Sequence, residues 1–488
     1  MDWLTRVHCA RRYEFGGFIM TRLYRAAGMT AHSCIALMLS ACAGFSADGG
    51  IGRVSSLSEE RTGHPVQLVK PDTREERLAQ LLSSPLTPDS ATEIALLNNK
   101  RLQVALADLG IAEADLVQAG RLRNPGFSFG RLSGSSDTEF ERAILFDLTG
   151  LLTMPMRRAI EERRFGQVQL QTALQAVRTA TDARRAYFQA VAAQQSLRYL
   201  QQVDLAAQAS AELAQRMAAV GNWGKLEQAR EQAFRAEVAA QLVRASHAAR
   251  VSRERLVRLL GLSDEHALLK LPDRLPDIPA ILESSDRIES RALAQRLDVQ
   301  AAKFETESTA KSLGLTRATR FVNVLEAGYQ NKSTNGSPRA DGYEVKLSLP
   351  LFDWGTARVR RAEAIYLRSL QRTADIAVQA RSEVRELHSA YQSSHQIARQ
   401  YRDEIVPAKK RVSDEVLLRY NGMLSSVFEL LADARSQIAS VNAAIDAQRE
   451  FWVADTDLQF VIHGGSLLLP TPAAIGGVPA SAVPAAAH

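Results

Sequence analysis

The sequence predicts a chain of mixed α/β class that is mainly helical, with long antiparallel helical hairpins and four short β-strands. Three observations carry that expectation. The stretch from Met156 to Leu262 contains no proline and keeps apolar residues at helical spacing. A second long helical stretch runs from about Thr356 to Phe460, repeating the first at a register of about 200 residues. In each copy, two segments with strand character precede the long helices. Composition agrees. Apolar residues are 46% of the 488 but aromatics only 6%. Ala, Gln, Arg, Leu and Glu fill the long segments, which favours small-faced helices over a bulky core.

Residues 1–41 read as a signal peptide, with Met20 a better start than Met1. Arg22 and Arg25 form a basic segment, and an apolar stretch follows from about Ala26 to Leu39. Leu39-Ser40-Ala41-Cys42 then resembles a bacterial lipobox, with small residues before the cysteine. That resemblance implies cleavage before Cys42 and lipidation of its sulfur. Ala43, where an aspartate would retain a lipoprotein inside, permits transfer to the outer membrane. Buried acyl methylenes contribute about 0.8 kcal/mol each, so several chains anchor stably.

Five arginines and two acids precede Cys42, so a chain starting there keeps a charge of +3 out of +6. That excess is too small to argue for nucleic-acid binding. The cysteines are Cys9, Cys34 and Cys42, which leaves such a chain neither an internal disulfide nor a cysteine metal cluster. The sequence has no HExxH and no phosphate-binding glycine loop. His388 and His395, seven apart on a helix, read as surface residues. No catalytic residue, cofactor or metal site is expected. Beyond Cys42 no run of 18 uncharged apolar residues occurs, so only a closed β-barrel would let the chain cross a membrane.

Residues 42–86, with Gly49-Gly50, Pro65, Pro71 and Pro85, read as an extended polar linker. The first repeat is expected over 87–283. Thr87-Pro88-Asp89 caps a helix running to about Leu122. Strands follow at Phe127–Leu132 and Ala143–Leu148. In the long helix, Leu170, Leu174, Val177, Ala180, Ala183, Tyr187 and Ala190 form a small-residue stripe. A single helix over the whole stretch is implausibly long, so Val220-Gly221-Asn222-Trp223-Gly224 should fold it into a hairpin.

The second repeat is expected over 284–464, starting with a helix from Ser284 to about Ala318. Val322–Tyr329 and Tyr343–Leu349 are its strands, with a loop from Asn331 to Asp341 between them. Pro407 should kink or break the second long helix, and Asn421-Gly422 should reverse it. Leu102-Gln103-Val104 is matched with Leu297-Asp298-Val299, and Gly221 with Gly422. Residues 465–488, rich in Pro and Ala, are expected to be a disordered tail.

Tyr343, Val345, Leu347 and Leu349 point one way along their strand, and Glu344, Lys346 and Ser348 the other. One apolar and one polar face is what a water-filled membrane barrel requires. Four strands cannot close around water, whereas three chains with four each give a 12-stranded barrel.

Leu347-Ser348-Leu349-Pro350-Leu351-Phe352-Asp353-Trp354-Gly355 resembles the strand-to-helix passage of TolC-like outer-membrane factors. The first-copy counterpart, Leu148 to Pro155, lacks the Phe-Asp-x-Gly. Leu418-Arg419-Tyr420-Asn421-Gly422, with the segment from Phe428 to Arg435, is similar to that family's second hairpin tip. The resemblance covers about residues 87–464. It implies a homotrimeric, lipid-anchored duct whose barrel lies in outer-membrane lipid and whose helical tunnel projects into the periplasm. Such ducts serve tripartite efflux pumps or type I secretion systems. A periplasmic adaptor (membrane fusion) protein joins them to an inner-membrane pump, and the duct itself catalyses nothing.

The resemblance places adaptor contacts at Val220, Gly221, Asn222, Trp223, Asn421, Gly422 and Met423. Arg419, Tyr420, Glu429 and Asp433 are the candidates for closing the tunnel; Ala432 stands where the family carries a further aspartate. Glycines at such tips also serve the positive φ of a tight reversal. The alternative from another class is a non-conducting periplasmic coiled-coil scaffold lipoprotein. The cargo is left open.

Overall fold

A computed structural model describes residues 44–68, 71–135, 137–262, 269–282, 287–322, 324–335 and 337–467. The signal peptide and Cys42 lie outside these residues. In chain order the helices are α1 (Ile51–Thr62), α2 (Pro71–Leu82), α3 (Pro88–Asn98) and α4 (Lys100–Ala119). Strands β1 (Gly126–Ser133) and β2 (Thr138–Asp147) precede α5 (Leu148–Ala219) and α6 (Lys225–Leu260). The second copy has α7 (Ile288–Gln295), α8 (Leu297–Ala318), β3 (Leu325–Thr334) and β4 (Ala340–Leu347). It ends with α9 (Thr356–Gln400), α10 (Val406–Asn421) and α11 (Val427–His463). Among the described residues, no helix is long and apolar enough to cross a membrane.

Two compact units divide the chain. Among the described residues, the strand unit comprises 44–46, 114–161 and 317–356, and the helical unit comprises 47–113, 162–316 and 357–467.

In the strand unit the four strands form one antiparallel sheet in the order β1-β2-β3-β4. The β2–β3 pair joins the two repeats, with Arg142 opposite Asn331 and Ile144 opposite Tyr329. Because opposed residues share a face, the register sorts the side chains into two sets. One face carries Phe127, Phe129, Phe140, Ile144, Phe146, Tyr329, Tyr343, Val345 and Leu347. The other carries Glu139, Glu141, Glu326, Gln330, Lys332, Glu344 and Lys346, where Lys332 Nζ lies 3.3 Å from Glu141 Oε1. On the apolar face a polar row begins at Arg142. Its guanidinium donates to Asn331 Oδ1 (3.1 Å), and Asn331 Nδ2 donates to Asp341 Oδ1 (2.6 Å). β1 and β4 each have a neighbour on one side only, so both edges are open.

Two strand-unit expectations change. The loop foreseen from Asn331 to Asp341 is shorter, because β3 keeps pairing with β2 as far as Thr334 opposite Glu139. The passage from Leu148 to Pro155 is helical. Asp147 caps it, its Oδ1 accepting from Gly150 N at 2.6 Å, and α5 carries Pro155 inside. In the second copy the counterpart is not helical: α9 starts only at Thr356, after Gly355 at φ 72°.

In the helical unit, every residue of the stripe from Leu170 to Ala190 is buried. Leu170, Ala173, Leu174 and Val177 pack with Val54, Leu297, Val384 and Phe460. Ala183, Tyr187 and Val191 pack with Leu256, Leu260 and Ile94. Alanine allows the helices to approach closely, and the interior fills with many small contacts.

The two copies share a break in their short helical segments. Asn99 (φ −65°, ψ 122°) ends α3, and Arg296 (φ −59°, ψ 126°) ends α7. These positions align Leu102 with Val299, both buried, two places along from the sequence match with Leu297. The extra offset arises because the backbone break, and not the Leu-x-Val match, is the shared feature.

The extended linker is corrected as well, since it contains α1 and α2. Val54, Val66, Leu78 and Leu86 bury themselves against the larger helices. Gly50, at φ 74°, lies so close to Phe165 that a Cβ there would collide with the ring. His395 is buried rather than on the surface. Its Nε2 lies 2.8 Å from the Pro279 carbonyl, and its ring packs on Phe451. Pro407 interrupts the second long helix as expected, and a π-turn over Tyr401–Ile405 absorbs the missing N–H.

The packed chain also continues past His463. Gly464 O accepts from Leu297 N (2.9 Å), Ser466 N donates to Asp298 Oδ2 (3.1 Å), and Arg178 Nη2 donates to Ser466 O (2.8 Å). The tail foreseen from residue 465 therefore starts packed, and residues 468–488 lie outside the described chain.

Candidate functional site

Both hairpin tips belong to the helical unit. At the first, the end of α5 unwinds through bonds from Gly221 N to Ala218 O (3.1 Å) and from Asn222 N to Met217 O (3.0 Å). Gly221 has φ 77°, a left-handed conformation that side chains with a Cβ rarely adopt, so here glycine is a backbone requirement. Val220 is 70% exposed. Trp223, foreseen on an open tip, is half-buried instead.

The second tip is built differently. Gly422 has φ −83°, and the left-handed residue is Met423 at φ 62°. The expectation that Gly422 supplies the positive φ is therefore corrected. Met423 N donates to Tyr420 O (3.0 Å) and Leu424 N to Arg419 O (2.8 Å), which closes the α10 terminus one residue later. Asn421 and Gly422 are exposed, while Met423 (94%) and Leu424 (81%) project almost fully into solvent. Ser426 then caps α11, its Oγ accepting from Glu429 N at 3.3 Å.

The gate candidates occupy this tip, and the side-chain bonds described for Arg419 and Glu429 are local. Arg419 Nε donates to Glu415 Oε1 one turn earlier, at 3.0 Å. The Glu429 carboxylate accepts from Ser425 Oγ at 2.7 Å and so closes a local cap. Tyr420 is 37% exposed. Asp433 has one buried carboxylate oxygen, Oδ2, without a hydrogen-bond partner.

Between the tips lies a cleft of about 320 Å³, lined by Asn222, Trp223, Gly224, Glu227, Glu231, Val427 and Leu431. Glu231 is only 2% exposed. Sequence reading missed it, because a glutamate in a polar helix carries no mark of burial. The one available signal was its spacing from Phe234 and Val238, which places all three on one stripe.

No protein-family model and no curated protein matches the sequence. Solved structures do. The outer membrane protein VceC of Vibrio cholerae is 18% identical, with a TM-score of 0.65 over 79% of this chain and 97% of its own. The outer-membrane channel OprN is 19% identical, with a TM-score of 0.65 over 80% and 90%. The CmeC outer membrane channel of Campylobacter jejuni is 15% identical, with a TM-score of 0.63 over 82% and 89%. The chain has the TolC-like outer-membrane channel fold. In that fold the two-faced sheet and the paired hairpin tips are the features on which a function can be built.

Proposed function

We propose that the protein is the outer-membrane duct of a tripartite efflux system, working as a homotrimer. The observation that carries this reading is the sheet, with an aromatic and aliphatic face, a charged face and two open edges. Open edges are untenable in lipid, where every backbone group needs a partner. Pairing β1 of one copy with β4 of the next removes them. Three copies then close a 12-stranded barrel, apolar outside and wet inside. The helical unit forms the periplasmic tunnel, and the tips receive the adaptor that connects to an inner-membrane pump. Lipidation at Cys42 adds an anchor. The duct is passive; the pump supplies the energy.

The test is purification in mild detergent followed by native mass measurement and planar-bilayer recording. A trimer with water-filled conductance is expected. A stable monomer, or a trimer that never conducts, would sink the duct reading, and the second outcome would favour the scaffold.

A further inference from the structure

We infer that the cleft between the hairpin tips is a receptor for one basic side chain, a guanidinium or an ammonium, presented by the protein that docks there. The inference rests on the duct reading and deepens it by naming the chemistry of the contact. α6 buries Glu231, Phe234 and Val238 along one stripe. Phe234 and Val238 pack with Val203 and Ala207, so Glu231 holds the next place in an apolar row. Its Oε2 accepts from Ser210 Oγ at 2.7 Å, whereas its buried Oε1 has no partner. A buried carboxylate oxygen without a donor is unfavourable, and folding alone would place an apolar side chain there.

The cleft beside Glu231 supplies what a cation needs. Glu227, one turn nearer the tip, adds a second carboxylate on the same side of α6. Trp223 offers an aromatic face, and indole is the best of the cation–π partners. The basic side chain that packs beside this stripe, Arg435, lies 4.4 Å over the Phe234 ring and makes no hydrogen bond to Glu231 Oε1. Among the described residues, no group of three acids, histidines or cysteines could hold a metal ion. A side-chain cation with several N–H donors fits two carboxylates better than a bare ion does. On the same two tips Met423, Leu424 and Val220 are exposed apolar side chains, available to the rest of the partner.

The test uses the full chain purified in detergent, with Trp3→Phe, Trp354→Phe and Trp452→Phe so that Trp223 is the remaining tryptophan and reports on the cleft. Argininamide is titrated against norleucinamide, its neutral analogue. A saturable fluorescence change specific to argininamide is expected, weakened about tenfold by Glu231→Gln, as for one lost charge-assisted hydrogen bond. Glu237→Gln, on an exposed part of α6, should leave it unchanged. Equal responses to both amides, or an unaltered response in Glu231→Gln, would overturn the receptor. So would Glu231-dependent binding combined with full export by Glu231→Gln in cells, because the cleft would then receive no partner. Bilayer conductance of the unaltered protein is recorded separately: conductance without argininamide binding rejects the receptor and leaves the duct standing.

Discussion

Arg296 and Glu383 meet in the interior of the helical unit, with Arg296 Nη1 donating to Glu383 Oε2 at 3.0 Å. The arginine is fully buried and also holds Asp298, through Nε at 3.0 Å and Nη2 at 2.7 Å. Ser466 closes the cluster, its hydroxyl donating to the second oxygen of Glu383. Arg296 thus ties the break before α8 to α9 and to the segment after α11. Removing the cation leaves two carboxylates without their partner. Arg296→Met should therefore cost about 3–5 kcal/mol of stability, read as a lower denaturant midpoint of the helical circular dichroism. Glu383→Gln, which keeps an acceptor, should cost less.

The tip glycines should respond differently to the smallest substitution. Gly221→Ala places a Cβ at φ 77° and should cost about 1 kcal/mol, although nothing crowds it. Gly422→Ala meets only ordinary contacts, the nearest being Leu418 O at 3.5 Å, and should be close to neutral. Bulk separates function from stability. Gly221→Trp or Gly422→Trp should leave membrane insertion intact but block export in cells. Full export by both would show that the adaptor docks elsewhere.

Among the described residues, no side-chain hydrogen bond or ion pair joins Arg419, Tyr420 and Glu429; Arg419 pairs with Glu415 and Glu429 with Ser425, so a gate built from them would act between neighbouring chains. Tyr420→Phe with Glu429→Gln should then raise single-channel conductance in planar bilayers, by removing a phenolic hydroxyl and a carboxylate charge from each copy of the proposed trimer. Each contact contributes only about 1 kcal/mol, so a several-fold effect needs that repetition. Unaltered conductance would reduce Glu429 to the α11 cap it forms with Ser425 and Ser426.

His463, the last residue of α11, is held below the ordinary histidine range by burial, and then by Arg61 and Arg291. A depressed pKa means that the unfolded chain binds the proton more readily than the folded one. Its contribution to stability is therefore complete above the usual value of about 6.5 and is lost as pH falls through the lower folded value. His463→Gln should flatten that part of the stability profile, measured as thermal midpoint against pH. An unchanged slope would mean that other groups set it.

Cys42→Ala should abolish incorporation of a radiolabelled fatty acid. Barrel insertion should survive, because strand closure is a separate source of membrane affinity. Labelling that persists would remove the lipid anchor and leave the barrel reading as it stands.

The sequence by itself determined the features that depend on near neighbours. The stripe from Leu170 to Ala190 was legible because helical periodicity is a local property, and so were the alternating strands. The reversals near Gly221 and Gly422 were marked by residues that end helices. Other features belong to pairs far apart in the chain. Arg296 and Glu383 are separated by 87 positions, and no local pattern distinguishes a buried arginine from a solvated one. Glu231 is buried because Ser210 and the opposing tip cover it, not because of its neighbours on α6. The helices α1 and α2 looked like linker because their few apolar residues gain stability only against a surface made by other helices. Burial is a relation between segments, so only the tertiary structure decided which charges lie inside and which tip residue, Met423 or Gly422, takes the left-handed turn.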